Sequence, residues 1–484
     1  MELKQHYQIE IFDVSTSGEG IGRVEGVVTF VPGLIPGDVA TVEITEVKKN
    51  LAKGKIVSID NPSADRCEAP CPYFEKCGGC TLQNMSYEAQ LRLKDKQLKD
   101  KLDRIYGGEA PEIEPIIGMD DPWHYRNKGV FSVYAGKAIV NKDGSVRNAE
   151  RPRVGFFDGK GRNIVEAKEC LIQSGPAMAA AEALREYIKQ TGFTIYDEKT
   201  KKGRLRQMIV RSGFESREVM VVLVVNGKKV PKPELLADLM FSAIDTLNDE
   251  VEARYNETGV PEEWYELKSL IINHNSNRNL GEISTATEVI YGAPVIKDWA
   301  AGLEFEISAL SFYQVNPVQM DKLYATVLEF ADLKGDETVF DLYCGVGTIG
   351  LYCASKAKYV WGIESVKSAV IDANRNAVIN GLVNIQFING KAEEKIFELE
   401  EKEIIPDLVI MDPPRAGCKP ELLEAVLKAS PEKIVYVSCD AGTLTRDLKI
   451  LAGEDSVYKI NRIRQVDQFC HSTHTETVVL LTKK

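Results

Sequence analysis

The sequence predicts a multidomain chain: a small N-terminal β-barrel, a central α+β domain and a C-terminal doubly wound α/β domain. Three observations carry this prediction. Short strand-like runs separated by Gly and Pro turns crowd the first sixty residues. Strand-like and helical runs mix without a regular order through the middle. From about Leu310 onward, apolar runs alternate with helical stretches at the spacing of a parallel sheet. At 484 residues the chain exceeds what one hydrophobic core organises, and 44% hydrophobic with 27% charged residues is a globular composition. Boundaries are expected at 1–60, 61–305 and 306–484.

The net charge of −12, from 60 basic and 72 acidic residues, argues against nucleic-acid binding through bulk charge. A local basic face remains open. Lys48, Lys49, Lys53 and Lys55 lie close together, and Lys199 to Arg211 holds Lys201, Lys202, Arg204 and Arg206 with no acidic residue between. No run of about 18 apolar residues is present, so no membrane-spanning helix is expected. The start, Met-Glu-Leu-Lys-Gln-His-Tyr, has no apolar signal core, so a cytoplasmic protein is expected. In a reducing compartment the 10 cysteines read as metal ligands or nucleophiles rather than as a disulfide framework.

In the first segment, Tyr7–Phe12 alternates, Val27–Val31 runs into Pro32-Gly33, Val39–Val47 follows Pro36-Gly37, and Gly54–Ile59 closes the set. Gly18-Glu-Gly20-Ile-Gly22-Arg23, Phe30-Val-Pro-Gly33 and Pro36-Gly37-Asp38 resemble the TRAM domain, an OB-like RNA-binding barrel often appended to RNA-modifying enzymes.

A cysteine-rich turn follows, then a helix expected from Ser86 to about Ile105. Leu91, Leu98, Leu102 and Ile105 share one face at helical spacing. Between Trp123 and Asn275, the runs Gly129–Tyr134, Val219–Val225 and Leu267–Ile272 read as strands.

The last third has five candidate buried strands: Thr338–Tyr343, Tyr359–Ile363, Ile385–Ile388, Asp407–Met411 and Ile434–Val437. After the first stands Gly345-Val-Gly347-Thr-Ile-Gly350, whose glycines permit a tight turn and close approach to a ligand. Glu364 ends the second strand, where a carboxylate can bind ribose hydroxyls. This Rossmann-like pattern fits a nicotinamide enzyme and an S-adenosylmethionine methyltransferase alike. The fourth strand separates them. It ends in Met411-Asp412-Pro413-Pro414-Arg415, a rigid corner without backbone donors at its prolines. Methyltransferases acting on nucleobases commonly place Asp/Asn-Pro-Pro there. Cys439 ends the fifth strand, a position suited to a nucleophile in the same crevice. Glu476, in His474-Thr-Glu476, opens a final strand and suits a general base.

Taken together, Ser311-Phe312-Tyr-Gln314-Val-Asn316, Asp341-Leu-Tyr343-Cys-Gly345, Asp412-Pro-Pro-Arg-Ala-Gly417, Ser438-Cys439 and His474-Thr-Glu476 resemble the RNA uracil-5-methyltransferase family. The resemblance covers most of the chain. It implies that Gln314, Tyr343, Glu364 and Asp412 line the S-adenosylmethionine site, that Cys439 is the nucleophile and that Glu476 abstracts the proton. Phe312 is suited to stacking or to shaping the pocket. The chemistry explains the residue types: carbon 5 of uracil is a poor nucleophile until a thiolate adds at carbon 6 and creates an enolate. Methylation of a nucleobase amino group would need neither the thiol nor the late base.

Cys67-x3-Cys71-x5-Cys77-x2-Cys80, with Gly78-Gly79 at the turn, suits either zinc or an iron–sulfur cluster. The family resemblance implies a 4Fe–4S cluster held by Cys71, Cys77, Cys80 and the distant Cys170, leaving Cys67 as an extra thiol. By resemblance to family members carrying both, the barrel and cluster imply 23S rRNA as the substrate, and a monomer is expected. The T-loop uridine of tRNA is the alternative, and an iron–sulfur RNA-binding protein with an inactive methyltransferase domain is the non-enzymatic one.

Overall fold

The computed structural model describes residues 1–106, 111–135, 138–140, 146–148, 152–161, 163–258, 264–277 and 283–484. Strands His6–Val14, Glu19–Val24, Val27–Pro32, Val39–Val47 and Leu51–Asn61 close into a barrel in which the last two exchange order. Alternation along each strand sends Ile9, Ile11, Val24, Val31, Val42 and Ile44 inward as its core. At one end the buried Asp38 accepts from the Ile35 and Ser63 N–H groups at 2.8 and 2.9 Å and from Arg66 Nε at 3.0 Å. That carboxylate fastens the barrel to the start of the cysteine-rich turn.

The central sheet has seven strands, in the order Ile164–Val165, Arg153–Phe157, Lys128–Tyr134, Leu205–Ser212, Glu218–Val225, Glu266–His274 and Thr287–Gly292. Helices Gly175–Thr191 and Pro233–Thr258 cover one face. The other face, through Ile209, Met220, Val222 and Ile271, joins the hairpin Val295–Ser308 and the C-terminal core. Burial on both faces is why Val219–Val225 reads as an unbroken apolar run. Within the basic stretch, Arg206 is buried, stacks on Tyr196 at 4.5 Å and donates to the carbonyls of Asn275 and Asn277. Arg211 is buried too and reaches the Ser311 carbonyl. Both hold the fold together, so this stretch presents less positive charge to solvent than its sequence suggests.

The C-terminal domain is a doubly wound sheet. Its order is Ile385–Asn389, Tyr359–Glu364, Thr338–Leu342, Leu408–Met411, Lys433–Ser438, Glu476–Lys483, Tyr458–Val466 and Glu114–Ile117. The first five strands are parallel, and Glu476–Lys483 runs antiparallel between its two neighbours. All five strands expected from the sequence are present. Helices Pro317–Ala331, Thr348–Ala354 and Lys367–Ile379 pack on one face, and Ala392–Glu400, Pro420–Ala429 and Ala441–Leu451 on the other.

The eighth strand, Glu114–Ile117, comes from far upstream and pairs with Tyr458–Val466. Helix Tyr87–Lys101 also enters this domain, with Leu98 in its core. The expected apolar face is corrected in part. Leu98 and Leu102 are buried, but Ile105 is 39% exposed, while Leu93 and Lys94 point inward. Lys94 is tolerated there because it forms a fully buried ion pair with Asp467.

Candidate active site

The site lies at the carboxyl edge of the parallel strands, where the strand order reverses. Strand Thr338–Leu342 leads into the glycine turn. There Tyr343 adopts a left-handed φ of 63°, and Gly347 has φ 84°. A Cβ at Gly347 would come within 2.4 Å of the Phe387 ring, so only glycine fits. Glu364 closes the turn, its carboxylate accepting from the Gly345 N–H at 3.2 Å and the Val366 N–H at 2.7 Å. Tyr343 packs against the apolar core on the opposite side of the turn.

Gln314 reaches the crevice from the segment before helix Pro317–Ala331. Its carbonyl accepts from Asn127 Nδ2 at 2.9 Å, and its Oε1 accepts from Gln468 Nε2 at 3.3 Å. Phe312, two residues earlier, is 64% exposed. Asp412 follows strand Leu408–Met411, and burial pushes its carboxyl up to about 7. Tyr343, Glu364 and Asp412 therefore stand at the carboxyl ends of neighbouring parallel strands, and Gln314 stands in the segment before helix Pro317–Ala331.

Cys439 ends strand Lys433–Ser438, and the next residue, Asp440, caps helix Ala441–Leu451 by accepting from the Gly442 and Thr443 N–H groups at 2.9 Å. Ser438 is paired with Thr477 in the antiparallel register, so the next step along the two strands sets Cys439 against Glu476. Glu476 is buried, and its Oε2 has no hydrogen-bond partner among the described residues. Burial, then the nearby Asp412 carboxylate, push its carboxyl well above the usual range. The same forces act on the nucleophile. Burial, then Glu476 and Asp412, raise the Cys439 thiol to about 12, while the Arg415 guanidinium pulls it back.

Sequence reasoning did not assign three further residues. Asp341 is a buried carboxylate whose Oδ2 accepts from the Gly350 N–H at 2.8 Å, and burial raises it to about 8. Its Oδ1 is buried with no hydrogen-bond partner among the described residues. A carboxylate inside an apolar strand was its visible signal. Tyr324, fully buried, bonds the Thr348 hydroxyl at 3.1 Å beside Asp412 and Glu476. Gln468 fixes Gln314, and nothing local in the sequence marks it.

Cys71, Cys77, Cys80 and Cys170 line a single cavity of about 450 Å³ with Arg126, Lys128, Arg415 and His474. Cys67 does not line it; that residue is exposed, and its thiol donates to the Gln83 carbonyl at 3.4 Å. Gly78 is required beside the cysteines, because a Cβ there would lie 2.9 Å from the Asp158 carbonyl oxygen. Burial raises Cys80 to about 12 and also raises Cys77 and Cys170. Among the described residues, no three His, Cys, Asp or Glu side chains are grouped to hold a metal ion. The expected iron–sulfur site is thus seen only as four thiols around a shared cavity.

This fold and crevice define an S-adenosylmethionine-dependent methyltransferase. Residues 295–484 match the family described as tRNA (uracil-5-)-methyltransferase, and residues 3–57 match the TRAM domain. The chain belongs to the RNA uracil-5-methyltransferase family. It is 42% identical to a Clostridium tetani RNA methyltransferase, over 98% of this chain and 96% of that one. A Caldanaerobacter subterraneus RNA methyltransferase is 38% identical, covering 100% of this chain and 99% of its own. Among solved structures, the Pyrococcus abyssi tRNA (uracil-54, C5)-methyltransferase in complex with S-adenosyl-L-homocysteine superposes with a TM-score of 0.71. It is 27% identical, over 98% of this chain and 100% of that one. No helix among the described residues is long and apolar enough to cross a membrane.

Proposed function

We propose that this enzyme methylates carbon 5 of a uridine in 23S rRNA, with Cys439 as nucleophile and Glu476 as base. The observation that carries the reading is the meeting of Cys439 and Glu476 across adjacent strands, beside Asp412. Gln314, Tyr343, Glu364 and Asp412 would hold S-adenosylmethionine, which supplies an electrophilic methyl group when bound. The target uridine must leave its stack to reach the crevice. The Cys439 sulfur bonds to carbon 6, and the displaced π electrons make carbon 5 the attacking atom. After methylation, Glu476 takes the carbon 5 proton. The freed electron pair re-forms the carbon 5–carbon 6 double bond and expels the Cys439 thiolate. Burial, then the Asp412 carboxylate, raise the proton affinity of Glu476, which accepts the proton in its ionised form. Arg415 offsets the cost of ionising Cys439.

Cys71, Cys77, Cys80 and Cys170 are read as the ligands of a 4Fe–4S cluster. Three of these thiols, Cys77, Cys80 and Cys170, are raised by burial and then by neighbouring cysteines, and would need cationic iron to ionise together. Each thiolate of such a cluster binds its own iron, which suits thiols spread around one cavity. Methyl transfer moves no net electrons, so the role assigned to the cluster is folding and RNA positioning.

The combination of barrel and cysteine cavity supports ribosomal RNA. A second reading, the T-loop uridine of tRNA, is favoured by the full-length likeness to the Pyrococcus enzyme. Mapping 5-methyluridine in ribosomal and transfer RNA from cells with and without the gene decides between them. Loss of the mark from tRNA alone would overturn the first reading.

A further inference from the structure

We infer that His471 is a positioning residue for the base: through it, the cysteine-rich turn and helix Tyr87–Lys101 hold Glu476 in place. The inference rests on the roles proposed for Cys439 and Glu476. Glu476 needs such help because no hydrogen bond among the described residues reaches its Oε2. Its place is set by the strand it opens and by the loop Asp467–Thr475 that leads to it.

That loop is held at its centre by His471, a non-glycine residue at φ 63° and 3% exposed. Its carbonyl accepts from the Thr81 and Leu82 N–H groups at 2.8 and 3.0 Å, immediately after Cys80. Its N–H donates to Gln90 Oε1 at 3.1 Å, and Gln90 Nε2 donates to its Nδ1 at 3.3 Å. Both ends of one side-chain amide therefore grip one residue. The ring stacks on Trp123 at 3.9 Å with a 19° tilt. A left-handed histidine persists only where its surroundings over-determine it, and here three separate segments do so. Neighbouring grips agree: the Tyr125 hydroxyl donates to the Cys470 carbonyl at 3.1 Å, and the buried Lys94 pairs with Asp467. Every one of these partners lies between residues 81 and 125, upstream of the parallel methyltransferase strands.

The test compares His471→Asn, which tolerates the left-handed backbone but loses the ring, with Trp123→Ala, which removes only the stack. The RNA probes are an unmodified 23S rRNA transcript and an unmodified tRNA transcript, with Glu476→Gln run alongside. Both variants should keep S-adenosylmethionine affinity and thermal midpoint, lose turnover by about 100-fold, and accumulate methylated RNA covalently attached through Cys439. A merely structural residue would lower turnover without trapping that adduct. If Glu476→Gln traps the adduct and neither positioning variant does, His471 does not position the base. If Glu476→Gln itself traps nothing with either RNA, the proposed role of Glu476 fails instead, and the inference falls with it. Should His471→Asn not fold, Trp123→Ala decides alone.

Discussion

Cys439 follows strand Lys433–Ser438 and Glu476 opens the adjacent antiparallel strand, one step beyond the Ser438–Thr477 pair, so a thiol stands beside a buried carboxyl. Burial, then the neighbouring Glu476 and Asp412 carboxyls, disfavour ionisation of the thiol. The pairing makes each residue's contribution separable by substitution.

Cys439→Ala should abolish methyl transfer while leaving S-adenosylmethionine binding intact, because the residues proposed to hold it, Gln314, Tyr343, Glu364 and Asp412, lie on other segments. Glu476→Gln should differ. Addition and methylation still proceed, but elimination stalls, and methylated RNA should run as a slow, denaturant-resistant band. The double variant should lack that band. An active Cys439→Ala would favour amino-group methylation.

Arg415→Gln should slow the alkylation of Cys439 by iodoacetamide near neutral pH. The guanidinium is the cation that opposes burial and the two carboxylates, so its loss raises the thiol further. The rate-against-pH profile should move to higher pH, read on the Cys439 peptide by mass spectrometry. An unmoved profile would remove Arg415 from the thiol's environment.

Asp341 carries a pH-dependent cost. Its folded value, raised by burial to about 8, exceeds its ordinary value of 3.8, so the folded state binds the proton more tightly. Stability from this group is complete below the ordinary carboxylate range and falls as pH rises through about 8. The limiting slope is about 1.4 kcal/mol per pH unit. Asp341→Asn should flatten the decline of the thermal midpoint between acid and mildly alkaline pH. An identical decline in both proteins would show that the carboxyl is not held neutral.

Anaerobically purified protein should be brown and hold about four irons per chain, as a cysteine-ligated cluster requires. Cys71→Ser, Cys77→Ser, Cys80→Ser or Cys170→Ser should remove the colour. Cys67→Ser should not, because that thiol lies outside the cavity. Stoichiometric zinc without iron would overturn the assignment.

Much of the site was legible in the chain because its signals are local. A glycine turn after an apolar strand, Asp412 before two prolines and Cys439 after Val437 each announce a strand's carboxyl edge within a few residues. Helix Tyr87–Lys101 was legible too, but its buried face was not: Lys94 reads as a surface residue until Asp467, far along the chain, supplies its counter-charge.

The sequence by itself determined the alternation of strands and helices, the barrel's inward residues and the types of chemical group at the crevice. These follow from backbone periodicity and from residues acting on their immediate neighbours. Only the tertiary structure decided that Glu114–Ile117 completes the catalytic sheet, that Cys439 meets Glu476, and that the loop before Glu476 is gripped by the segment after Cys80. Strand partners and loop anchors are chosen by which distant surfaces bury and satisfy each other, and that choice leaves no mark in a local window of sequence.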